Sequence, residues 1–110
     1  MHPLNMQEME LLTCSNKRAL RIYLRKVLLH LLIVKFQPEK RSRYCDGTIL
    51  NGRRDLSFLL KDSQSLRKLL PDYIYYSYEM AVTDASIEIG KDERIFPKVC
   101  PWSLEEILGG

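Results

Sequence analysis

His30 has the greatest chemical reach in this 110-residue sequence, because an imidazole titrates near neutrality and can both take up and release a proton. As a general base it needs a carboxylate or a second titratable group close by. Glu8, Glu10 and Glu88 are the candidates, and such a set would suit a small hydrolase. The competing role is structural: a neutral ring bonded to a buried polar partner, beside Tyr23 and one turn past Lys26. That role is preferred, since buried polar groups are nearly always bonded.

Other reactive types offer less. A zinc site wants three or four convergent His, Cys or carboxylate ligands. Here His2 stands at the terminus, no His-Glu-x-x-His or Glu-x-x-His spacing occurs, and neither a metal nor another cofactor is expected. Cys14, Cys45 and Cys100 are odd in number and too far apart for a metal knuckle or redox pair. They read as free thiols of a reducing cytoplasm. Cys100 has no histidine near it in sequence, and Pro101-Trp102 reads as a packed elbow anchored by the indole. Gly47, Gly52 and Gly90 are isolated, so no phosphate-cradling loop is present.

The net charge of +3 conceals an uneven distribution. Residues 17–54 hold eleven basic side chains against Glu39 and Asp46, whereas residues 55–110 hold six against ten acidic ones. Arg18, Arg21, Arg25, Lys40, Arg41, Arg43, Arg53 and Arg54 could form a phosphate-contacting face, with Phe36 or Tyr44 as the stacking aromatic. No helix-turn-helix or single-strand stacking pattern accompanies them. The preferred reading is that basic and acidic helices of one bundle attract each other, since a folded surface normally mixes its charges.

The elements that would position these groups are helical. A first segment is predicted over residues 5–12 with Asn5 as cap, and Thr13 to Asn16 is either a break or a polar turn of a longer helix. From Lys17 to Val34, the residues Leu20, Leu24, Val27, Leu31 and Val34 recur at helical spacing, with Arg18, Arg21 and Arg25 opposite. From Val27 onward the helix is apolar on all sides, which marks a central, enclosed element. That run is bracketed by Lys26 and Lys35 and is far shorter than the ~20 apolar residues of a membrane span. Pro38 ends the helix, and Gln37 to Gly47 reads as a polar connector.

A second helix is predicted from Thr48 to Lys61, facing inward with Ile49, Gly52, Leu56, Leu59 and Leu60. Glycine inside a helix costs about 1 kcal/mol relative to alanine, which a close helix contact at Gly52 would explain. A third is predicted from Leu66 to Ile89, on the stripe Leu66, Leu70, Ile74, Tyr78, Ala81 and Ala85, kinked or divided at Pro71 and ended by Gly90. Ser103 and Glu106 form a capping box for a short last helix. No alternating run of useful length suggests a strand. The fold class is therefore all-α: one domain over residues 1–110, a small bundle of three main helices plus a short C-terminal one.

Several motifs together resemble an uncharacterised helical family abundant in cyanobacteria, the domain of unknown function numbered 29. They are His30-Leu31-Leu32, Phe36-Gln37-Pro38-Glu39-Lys40-Arg41-Ser42, Thr48-Ile49, Arg53, Asp62-Ser63, Ser65-Leu66, the Ala81, Ala85, Glu88 and Gly90 pattern, Phe96-Pro97 and Cys100-Pro101-Trp102-Ser103-Leu104-Glu105. The register holds from about Met6 to Leu108. The chain departs from the family at Ile33-Val34 and Tyr44-Cys45, keeps its acidic pair only in part as Glu8 and Glu10, and lacks the family's usual first helix. The resemblance implies an all-helical fold and supplies no activity.

The residues contain no convergent catalytic set but much helix surface, so the sequence reads as a non-catalytic interaction or regulatory module in the cytoplasm. Nucleic-acid association through residues 17–54 and the His30 hydrolase are the alternatives. No signal peptide or membrane association is expected. If the absent helix normally covers Leu28, Leu29, Leu32 and Ile33, that patch would be bare and would favour self-association or a partner helix.

Overall fold

A computed structural model describes the backbone of residues 6–109 and the side chains of residues 15–109. The expected cap Asn5 lies outside the described residues, as do the side chains of Glu8, Glu10 and Cys14. The first element, α1, runs unbroken over Met6–Phe36, so Thr13 to Asn16 is a polar turn within it. At 1.5 Å per residue its 31 residues extend about 46 Å. That length sets the long dimension of a molecule measuring 54 × 24 × 21 Å.

After α1, a single 3-10 turn at Pro38–Lys40 leads to α2, Arg43–Asp62. The predicted connector is therefore too long: α2 starts five residues before Thr48. The cause is Ser42, whose hydroxyl accepts from the Cys45 amide at 3.2 Å, while Asp46 adds negative charge in the first turn. Arg41 donates to Asp46 at 2.9 Å across the same cap. A 3-10 segment, Gln64–Leu69, then precedes α3, Leu70–Ile89. Pro71 divides the third predicted helix rather than kinking it, because in the first turn its missing N–H has no bond to lose. Gly90 closes α3 in the left-handed conformation, φ +68°.

The chain ends in α4, Leu104–Leu108, with both bonds of the Ser103–Glu106 capping box formed. No strand occurs among the described residues.

Both α2 and α3 pack on α1. The core combines Leu20, Leu24, Val27, Leu28, Leu32 and Ile33 of α1 with Leu56 and Leu60 of α2 and Leu70, Tyr78, Ala81 and Ala85 of α3. Leu66, Phe96 and Ile107 close it from the connecting and terminal segments. Leu31 and Val34, placed on the inward stripe by spacing, are only half-buried. The patch expected to be bare is covered: Leu28 and Leu32 are 0% exposed, Ile33 is 2%, and Leu29 is half-buried against the core. That expectation gave the covering role to a further helix, whereas α2 and α3 together pack on α1 and use its all-round apolar character.

Gly52 is buried where α2 meets α1: a Cβ at this position would stand 2.5 Å from Val27 Cγ2. Val27 is itself fully buried, and its short branched side chain has little freedom to yield. Gly52→Ala should therefore destabilise by about 1–3 kcal/mol despite alanine's better helix propensity. A melt should show a Tm lowered by several degrees, and the double variant with Val27→Ala should lose less than the sum of the two single losses, because the clashing methyl group is gone.

Candidate functional site

His30 is buried on α1 and meets the Tyr44 ring edge-on, with centroids 5.6 Å apart. Its Nδ1 has no hydrogen-bond partner among the described residues, so at this nitrogen the ring does not make the bond to a buried polar partner that the structural role expects. Burial pushes the imidazole below its ordinary 6.5; the Glu88 carboxylate opposes this, and Lys26 adds a smaller lowering. No hydrogen bond joins Glu88 to His30. Glu8 and Glu10 belong to the same continuous helix, five turns or more before His30, a rise of about 30 Å. The hydrolase set is thus not assembled around this ring by the described residues.

The eight basic candidates do not converge either. Arg25 forms a two-point ion pair with Asp84 of α3, Nε–Oδ2 2.5 Å and Nη2–Oδ1 2.8 Å. Arg41 pairs with Asp46. Arg53 donates from Nε to the Ile107 carbonyl at 3.1 Å and from Nη2 to the Glu106 carbonyl at 2.7 Å. These are terminal carbonyls of α4: that of Glu106 also accepts from the Gly109 N–H at 3.3 Å, and that of Ile107 lies past the last helical donor. Arg41, Asp46 and Arg53 share a groove of about 470 Å³ with Leu31, Val34 and Ile49. Arg18, Arg21, Lys40, Arg43 and Arg54 are exposed, with no ion pair among the described residues.

Two adjoining clefts lie between α3 and the segment that follows it. The larger, about 580 Å³, is lined by Tyr78, Glu79, Thr83, Glu93, Arg94 and Lys98 among others. The smaller, about 270 Å³, reaches Ile74, Cys100 and Trp102. Tyr78 donates its hydroxyl to the Pro97 carbonyl at 2.6 Å, and burial raises its pKa to about 12. Thr83 bonds Glu93 at 2.9 Å. Burial raises the Cys100 thiol above its ordinary value, and its Sγ points to the Trp102 carbonyl at 3.7 Å. A thiol held in the protonated form is a poor nucleophile. Trp102 is half-buried against the core with Lys35 Nζ 5.7 Å from its ring centre, so it anchors the elbow that the sequence suggested.

Among the described residues, no three His, Cys, Asp or Glu side chains gather closely enough to hold a metal ion. No described helix is long and apolar enough to cross a membrane. Spacing did not reveal the His30–Tyr44 contact, the Arg25–Asp84 pair or the Tyr78–Pro97 bond, since each joins positions brought together only by the fold.

These features define an all-α protein in which Arg25, Arg53 and Tyr78 fasten helices and segments to one another. Its chain belongs to the family described as "Domain of unknown function DUF29", whose model matches residues 5–110. Neither the curated proteins nor the solved structures contain a match to it.

Two measurements follow from this geometry. The unfolded imidazole keeps its ordinary pKa while the folded one is lowered, so the unfolded chain takes up the proton first on acidification. The His30 contribution to stability is present above pH 6.5 and is lost as pH falls below it. Thermal melts between pH 7.5 and about 5.5 should show this decline in the parent and a flatter profile in His30→Leu. Separately, Arg53→Met should release α4: hydrogen exchange at residues 104–108 should speed up while the α1 core stays protected.

Proposed function

We propose that this protein is a non-catalytic interaction module of the cytoplasm, presenting helix faces to other macromolecules. The observation that carries this reading is the exposure of large apolar side chains on the outer sides of helices whose inner sides are already packed. On α2, Leu50 and Phe58 are 60% and 61% exposed, with exposed Arg54 between them on the same face. On α3, Met80 and Ile87 are 51% and 76% exposed, one and three turns beyond exposed Tyr76. Single exposed apolar residues are ordinary, but rows of them on one helix face mark contact surfaces. Of the groups that could do chemistry, Arg25, Arg41 and Arg53 are engaged in ion pairs and helix ends, Cys100 sits in the elbow, and His30 is enclosed with no carboxylate bonded to it among the described residues, which favours binding over turnover.

A nucleic-acid role has one observation in its favour, the exposed cations Arg18, Arg21, Lys40, Arg43 and Arg54. One experiment separates the two. Tagged protein, together with a Leu50→Asp/Phe58→Asp variant, is used for affinity purification from its source cell at low and at high salt. The module reading expects a protein partner retained at both salt levels and lost with the variant. Recovery of nucleic acid that disappears at high salt, and is unaffected by the variant, would overturn it in favour of the basic surface.

A further inference from the structure

The exposed faces of α1 and α3 differ in a systematic way. Between Ser15 and Phe36, α1 carries six basic residues and no acidic one; α3 carries four acidic residues and no basic one. On α1, exposed Arg18, Arg21, Ile22 and Arg25 share one face at the spacing i, i+3, i+4 and i+7. On α3, exposed Asp72, Tyr76, Glu79, Met80, Thr83 and Ile87 share another. Each face is a short apolar row on a helix whose own charges are of one sign, Ile22 among the cations of α1 and Tyr76, Met80 and Ile87 among the anions of α3, with Arg94 and Lys98 of the following segment bordering the α3 row at Glu79 and Thr83.

These two faces adjoin. Arg25 reaches from α1 to Asp84 of α3, and its Nη1 lies 3.7 Å from Met80 Sδ. A cationic ridge and an anionic ridge therefore run side by side on one surface, joined at that ion pair. A partner fitting this surface must offer anions opposite α1, cations opposite α3, and apolar side chains in the middle of each. A polyanion matches only the first half and is repelled by the second. The surface itself has the required pattern when turned by half a revolution.

We infer that this surface recognises a second copy of the chain, forming a two-fold dimer in which the α1 ridge of each protomer lies on the α3 ridge of its partner. A two-fold axis near the Arg25–Asp84 pair satisfies both ridges in one operation and makes every contact twice, the self-complementary arrangement of an isologous interface. Opposite charges set the register and exclude like-on-like pairing, while Ile22, Met80 and Ile87 supply the apolar centre. The inference rests on the interaction-module reading and gives that module its first partner. It uses the α1 and α3 faces, leaving Leu50 and Phe58 of α2 free.

The test is sedimentation equilibrium on the purified full chain, with circular dichroism melts to establish that each variant is folded; all the altered side chains are exposed. The parent should show a concentration-dependent monomer–dimer equilibrium. Arg18→Glu/Arg21→Glu and Asp72→Lys/Glu79→Lys should each weaken it by about a hundredfold or more, since like charges then face each other. An equimolar mixture of the two variants should dimerise again, because one contact set is native and the other has its signs exchanged. Ile87→Asp should be monomeric without rescue. A parent that stays monomeric at high concentration, or a mixture that fails to re-associate while the parent dimerises, overturns the inference. A monomeric parent that still captures a protein through Leu50 and Phe58 would leave the broader module reading standing. Dimerisation without any such capture would do the reverse.

Discussion

The fold depends on the enclosure of one long helix by two shorter ones. From Val27 to Ile33, α1 is apolar around most of its circumference, and only packing on more than one side removes that surface from water. α2 and α3 provide it: α2 approaches closely because Gly52 has no side chain to hold it off Val27, and α3 brings the small Ala81 and Ala85 to its buried face. Burial of a Leu-sized side chain is worth about 1.5–3 kcal/mol before entropy is set against it. The fully buried leucines of α1 alone therefore account for much of the drive to assemble.

That enclosure also determines what the polar residues do. His30 is carried into the interior because it sits within the apolar run, and its Nδ1 has no partner among the described residues. Its neutral form is a consequence of position. Arg53 reaches the end of α4 because α2 is drawn in at Gly52, one residue before it, and a five-residue helix needs such support to persist. Arg25 and Asp84 meet because α1 and α3 pack together; their pair is partly exposed and contributes little to stability, of the order of 1 kcal/mol or less. Its importance lies in joining two ridges of opposite charge.

Much of the fold was legible in the residues because helix signals are local. The capping box at Ser103, the stop at Gly90 and the constraint at Pro71 each act within a few positions, and all three stand where spacing put them. The same locality explains the errors. Gln37 to Gly47 is polar enough to read as a loop, yet Ser42 caps a helix there. The resemblance points to a bare patch on α1, while the residues that cover it lie twenty to sixty positions later in this chain. The site was less legible. Basic residues have a recognisable spacing, but whether Arg53 meets a phosphate or a backbone carbonyl depends on where α4 lies, and no short-range pattern encodes that.

Trp102 is the one tryptophan of the chain, and it sits in the C-terminal elbow under Lys35 rather than between the three long helices. Intrinsic fluorescence excited at the indole therefore follows the seating of residues 91–109, whereas a helical signal follows the bundle as a whole. If the elbow detaches before the bundle melts, emission and ellipticity will trace different curves, and this protein carries its own reporter for departures from two-state unfolding.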